Sequence, residues 1–127
     1  MLEPKAGRRP AAAEAAVLTE AVIRAADQLG VSARSLSAVL GVSEATVSRM
    51  RRRDFALERG TKPFELGVLF VRLFRSLDAI VGGDETVART WIKNQNLALE
   101  ARPLEKIMTI AGLVDVIAYL DSRRALV

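Results

Sequence analysis

The sequence predicts an all-α chain, with a helix-turn-helix lobe at its N-terminal side and a small helical lobe after it. Three observations carry that expectation. Apolar residues recur at three- and four-residue spacings along most of the chain, and no stretch shows sustained period-two alternation. Glycine, proline or a short polar cap stands at the breaks between the apolar runs. At 127 residues the chain suits one domain, or two small lobes sharing a core.

The first segment, residues 1–11, contains Pro4, Gly7 and Pro10 among Lys5, Arg8 and Arg9, and reads as a flexible basic arm. From Ala12 the pattern turns helical. Val17, Leu18, Ala21, Val22, Ala25 and Leu29 share a stripe, and Gly30 stops the helix. Ser32 or Ala33 starts a second helix that ends at Gly41, and Ser43 caps a third with Glu44 in its first turn. Residues 54–62 form a charged connector hinged at Gly60.

Pro63 stands at the start of the most hydrophobic helix, built on Phe64, Leu66, Leu69, Phe70, Leu73, Phe74, Leu77, Ile80 and Val81. This is the expected central post. Gly82 and Gly83 end it, and Asp84 caps a short helix presenting Val87, Ala88, Trp91 and Ile92. Residues 94–102 read as an irregular link anchored by Leu97 and Leu99, in which Asn94 and Asn96 organise the backbone. Pro103 opens a short helix through Met108. A last helix from about Thr109 carries Ile110, Leu113, Val114, Ile117 and Leu120, and runs into Arg123, Arg124, Leu126 and Val127. The divisions expected are therefore 1–11, 12–62 and 63–127.

The segment from Ser35 to Arg53 fits a helix-turn-helix residue by residue. Two helices that cross tightly need a turn residue with conformational freedom and little bulk, and Gly41 supplies both. Leu36, Leu40, Val42, Val47 and Met50 form the inward side, and small Ser37 sits at the close approach. Ser43, Glu44, Ala45, Ser48, Arg49 and Arg52 are then left facing out, where the N-terminal half of such a helix enters the major groove. Arginine forks onto guanine, glutamate accepts from a cytosine amine, and an alanine methyl meets thymine. Arg34, Thr46, Arg51 and Arg53 are placed for phosphates, which orient the duplex without reading it. One such module covers half an operator turn, so a homodimer on a near-palindromic site is expected. Arginines at a helix C-terminus are also favoured by the dipole alone. It is their attachment to the Leu36–Met50 pattern that points to DNA.

Charge is distributed to match. Residues 1–63 hold 11 Lys/Arg against 7 Asp/Glu, and residues 64–127 hold 8 against 8. A basic front and a neutral, apolar back suggest a polyanion for one and a protein for the other. The chain has no cysteine and no histidine, which excludes disulfides, thiolate nucleophiles, Cys/His zinc sites and imidazole bases. The Gly82-Gly83 pair lacks the lysine and hydroxyl that complete a P-loop. No catalytic residue, metal or cofactor is therefore expected, and the chain does not read as an enzyme. The polar start offers no secretory h-region, and the composition fits a cytoplasmic protein.

The back half carries a resemblance. The run from Val81-Gly82-Gly83-Asp84 through Trp91-Ile92, with Asn96-Leu97-Ala98-Leu99, Arg102-Pro103-Leu104-Glu105 and then Gly112, Val116 and Leu120, resembles the toxin-binding domain of the Xre/MbcA/ParS antitoxins. It spans about residues 64–127, and the preceding helix-turn-helix extends it over nearly the whole chain. The resemblance implies an antitoxin that covers the active site of a RES-domain toxin, an enzyme that degrades NAD or transfers ADP-ribose. It further implies an autorepressor of its own operon, dimeric and assembled with toxin into larger complexes. Gln95 stands where the family usually has proline, and Glu100 and Ala101 replace glycines typical after the asparagine loop. On this reading Arg123, Arg124, Leu126 and Val127 form a basic, apolar-tipped helix end able to enter a toxin cleft, with Lys93, Gln95 and Arg102 as secondary contacts. The alternative is a dimeric helix-turn-helix transcription factor without a toxin partner. A pure protein inhibitor with a structural helix-turn-helix is a further rival.

Overall fold

A computed structural model describes residues 11–125. The predicted arm, apart from Ala11, lies outside the described residues, as do Leu126 and Val127. Seven helices are present among the described residues: α1 (Ala11–Leu29), α2 (Ala33–Leu40), α3 (Glu44–Arg51), α4 (Lys62–Val81), α5 (Glu85–Lys93), α6 (Pro103–Lys106) and α7 (Ile110–Arg124). No strand occurs there, only an isolated antiparallel bridge between Asn96 and Ala101. The all-α expectation holds, with α1–α3 forming the N-terminal lobe and α4–α7 the C-terminal lobe.

Helix starts follow the cap chemistry of the sequence. Ser32, Ser43, Thr61, Asp84 and Thr109 each accept a backbone N–H from three residues ahead, through a hydroxyl or carboxylate. Ser32 is thus a cap rather than the first helical residue. Pro63 enters the first turn of α4 one place after Lys62, where its missing N–H costs nothing.

α4 is the post that the sequence predicts. It packs against α1, α2, α5 and α7, and Phe70, Leu73 and Leu77 on it are fully enclosed. One continuous cluster of buried side chains draws on all helices except α6, so the two lobes share a core. Each large apolar side chain buried there contributes roughly 1.5–3 kcal/mol. A polar lock adds to it. The buried Thr19 hydroxyl donates to the Ala15 carbonyl at 2.7 Å and accepts from the Leu57 N–H at 2.8 Å, pinning the connector to α1. On the C-terminal side, Trp91 of α5 stacks on Tyr119 of α7, with centroids 6.4 Å apart and planes inclined by 12°.

Several expected core positions face solvent instead. Val17, Val87, Ile110 and Val114 are exposed, and Val116 takes the buried place on α7. The cause is geometric. α7 buries Leu113, Val116, Ile117 and Leu120, a three-four stripe from which Val114 turns away, while Ile110 is the first residue of the helix. Leu97 is 91% exposed and anchors nothing, while Leu99 is the half-buried residue of that link.

The link itself is ordered by its asparagines. The Asn96 carboxamide oxygen accepts from Leu99 N–H at 3.0 Å, and Asn94 Nδ2 donates to the Thr90 carbonyl at 2.8 Å. Glu100 completes the turn at φ 56°, a left-handed conformation that favours glycine. Further on, an added Cβ at Gly112 would lie 1.9 Å from the Lys106 carbonyl oxygen. Only glycine lets α7 begin that close beneath α6.

Candidate nucleic-acid and partner interfaces

α2 and α3 form the helix-turn-helix. Gly41, at φ 70° and ψ 34°, donates its N–H to the Ser37 carbonyl, and Val42 N–H reaches the same oxygen at 3.0 Å. Leu36, Leu40, Val47 and Met50 are buried at the crossing, with Val42 at its margin. Ser37 is buried too, its hydroxyl returning to the Arg34 carbonyl at 2.7 Å. This inward set leaves Ser43, Glu44, Ala45, Ser48, Arg49 and Arg52 exposed together along α3 and its ends. The six positions expected to face DNA bases form one accessible face.

The phosphate-directed set divides. Arg34, Arg51 and Arg53 are exposed, whereas Thr46 is buried. Its hydroxyl lies 3.0 Å from that of Ser43 and accepts from Arg49 Nη2 at 3.2 Å. Thr46 therefore organises the helix from within, a role its place in the sequence did not signal.

The arginines differ in what holds them. Arg51 donates to Asp27 at 2.7 Å, Arg53 to Glu20 at 3.1 Å and Arg52 to Asp54 at 3.3 Å. Arg49 lies over the Phe55 ring, its guanidinium carbon 5.4 Å from the centroid. Arg53 also closes the helix at φ 64°, with Arg53 N–H bonded to the Met50 carbonyl and Asp54 N–H to that of Arg49. This is a Schellman stop built on arginine in place of glycine.

The residues expected to meet a protein partner fall in two groups. Lys93, Gln95 and Arg102 are exposed around the Asn96–Ala101 turn, with Arg102 Nη1 3.8 Å from a Glu105 carboxylate oxygen. Arg123 and Arg124 are exposed at the far end of α7, whose start adjoins α6. A helix rises about 1.5 Å per residue, so roughly 20 Å of α7 separates Ile110 from that pair. A partner touching both groups must span the lobe.

At the α7 end the charges are organised by Asp121. It accepts from Ser76 Oγ at 2.8 Å and from Arg72 Nη2 at 2.7 Å, and Arg124 Nη1 lies 3.5 Å from the same serine oxygen. The Ser76 hydroxyl bond, then the Arg72 bond and charge and the Arg124 charge, hold the Asp121 carboxyl below its ordinary value against an opposing desolvation. Arg72, Arg75 and Arg124 rim a groove of about 550 Å³ floored by Val17, Leu18, Val68 and Val71.

A polar tie joins the two lobes. Arg89 of α5 donates Nε to the Gln28 carbonyl at 3.0 Å and Nη2 to the Asp27 carbonyl at 2.9 Å, the latter already accepting from Gly30 N–H at 3.2 Å, and so caps the end of α1. Among the described residues, no group of three His, Cys, Asp or Glu is placed to hold a metal ion, and no helix is long and apolar enough to cross a membrane.

Comparison with known families gives two adjoining matches. Residues 8–72 match the antitoxin Xre-like helix-turn-helix domain, and residues 76–125 match the antitoxin Xre/MbcA/ParS C-terminal toxin-binding domain. No curated protein matches the chain.

Proposed function

The chain belongs to the antitoxin Xre-like helix-turn-helix family and carries that family's C-terminal toxin-binding domain, and from that premise we propose that it neutralises a RES-domain toxin and represses its own operon. The toxin is an NAD-degrading or ADP-ribosylating enzyme, and the antitoxin acts by covering its active-site entrance. Two copies read a near-palindromic operator, with half-sites about 34–36 Å apart.

One observation supports the reading above the rest. A capped helix of the helix-turn-helix with Ser43, Glu44, Ala45, Ser48, Arg49 and Arg52 exposed shares a single core with a lobe of the toxin-binding type. DNA and toxin can then be held by one folded unit. Ser43, Glu44, Ala45, Ser48, Arg49 and Arg52 read bases, while Arg34, Arg51 and Arg53 meet phosphates. Thr46 supports Arg49. Arg123, Arg124, Leu126 and Val127 enter the toxin cleft, and Lys93, Gln95 and Arg102 form a second contact on the same partner.

Co-expression with the RES-domain toxin encoded beside the gene tests this function. Growth and cellular NAD are expected to recover, and the two proteins to co-purify. No rescue, with salt-sensitive binding to its own promoter retained, would favour a transcription factor lacking a toxin partner. The tail is tested by a chain ending after Ser122, with folding checked by circular dichroism. Inhibition is expected to fall steeply, and full inhibition by the shortened chain would end the tail's role as a plug.

A further inference from the structure

We propose that Phe55 is a positioning residue that sets the base specificity of Arg49; the inference rests on the DNA-binding reading above. Arg49 is distinguished from its neighbours by the partners that hold it. Arg51, Arg52 and Arg53 each meet a carboxylate, on Asp27, Asp54 and Glu20. Among the described residues Arg49 meets none. It is held instead by two neutral groups, the Thr46 hydroxyl at 3.2 Å and the Phe55 ring at 5.4 Å.

Those two groups fix direction without cancelling charge. A guanidinium has five N–H donors in one plane, and Thr46 takes one of them. The ring attracts the cation through its quadrupole and takes up no N–H in a conventional hydrogen bond. Enough in-plane donors remain for a two-bond fork onto the O6 and N7 of guanine. An unsupported arginine loses rotamer entropy when it makes such a fork, whereas one already held by a ring and a hydroxyl has lost part of it.

The support is itself anchored. Ser43 caps α3, its hydroxyl accepting from Thr46 N–H at 3.0 Å and meeting the Thr46 hydroxyl at 3.0 Å. A ladder therefore runs from Ser43 to Thr46 to Arg49 at steps of three residues. Phe55 follows the helix stop directly, because the left-handed Arg53 turns the chain back toward α3. It also lines a groove with Ile23 and Met50.

The test compares wild type, Phe55→Leu, Phe55→Tyr and Arg49→Lys on duplexes from the chain's own promoter, with every base pair varied in turn. Arg49→Lys identifies the G·C pair that Arg49 reads. Phe55→Leu is expected to lower discrimination at that same pair about two- to fivefold, the scale of an exposed cation–π contact. Its salt slope should be unchanged, since no phosphate contact is lost, and Phe55→Tyr should restore discrimination. A readout without DNA accompanies it: the Arg49 side-chain protons should show a ring-current shift by NMR that Phe55→Leu abolishes. Full discrimination by Phe55→Leu, or equal weakening on every sequence, overturns the positioning role and leaves DNA binding intact. Wild-type protein with no preference among the duplexes overturns both.

Discussion

The carboxylate of Asp27, near the end of α1, accepts from Arg51 of α3 at 2.7 Å. Arg89 holds the carbonyl of the same aspartate from the opposite lobe. Asp27 thus places a negative charge against an arginine expected to meet phosphate. Replacing it by asparagine keeps the Arg89 contact, which uses only backbone, and frees Arg51. Asp27→Asn is expected to bind promoter DNA more tightly at low salt, with a log–log salt slope steeper by about one phosphate contact. Fluorescence anisotropy across a salt series measures this, and an unchanged slope would show that Arg51 takes no part.

Glu100 occupies a left-handed turn that suits glycine. Glu100→Gly relieves that conformation at an exposed site, and a net stabilisation of about 0.5–1 kcal/mol is expected after the entropy of glycine is counted. Urea denaturation checks it. A loss of stability would mean that the Glu100 side chain contributes more than its backbone costs.

Gly112→Ala sets a methyl against the Lys106 carbonyl oxygen, and a backbone atom cannot swing away as a side chain can. A loss at or beyond the upper end of the usual overpacking range, about 1–3 kcal/mol, is expected, with the α6–α7 turn displaced. Thermal melting, with NMR shifts at Lys106 and Thr109, reports both.

Asp121 makes stability depend on acid. Its folded carboxyl titrates below the ordinary aspartate value of about 3.9. The stabilisation is present above that unfolded value and is lost as pH falls through the lower folded one. Asp121→Asn should therefore be less stable than wild type near neutral pH, by at most about 1 kcal/mol because the side chain is partly solvated. The two should converge below about pH 4. Melting both proteins across that range checks the direction, and a constant difference would contradict it.

How far the sequence reading reached differs from element to element. Caps and stops are local chemistry, so Ser43, Gly41, Thr109 and Gly82 marked their helices before any contact was known. Ser43, Glu44, Ala45, Ser48, Arg49 and Arg52 are legible as an exposed set because a single helix fixes which residues share a side. The signal weakened wherever orientation depended on a neighbour. Ile110 and Val114 are as apolar as Val116, and only the position of α4 decides which stripe of α7 is buried. Leu97 has the hydrophobicity of an anchor, yet the Asn96 turn carries it outward. Thr46 reads in the sequence as a phosphate contact yet is buried, and Phe55 carries no signal of its own, for a related reason. Both lie against Arg49, and no residue type announces which side chain three positions on or six positions back it will meet. The split between Arg102 and Arg123 was likewise illegible, since it follows from the length and direction of α7.

The central claim is that this chain silences a toxin by binding it. The most direct measurement is NAD consumption by the purified cognate RES-domain toxin during titration with the full chain. Activity is expected to fall linearly and reach background at a fixed molar ratio. Undiminished NAD consumption with the chain in large excess would contradict the account.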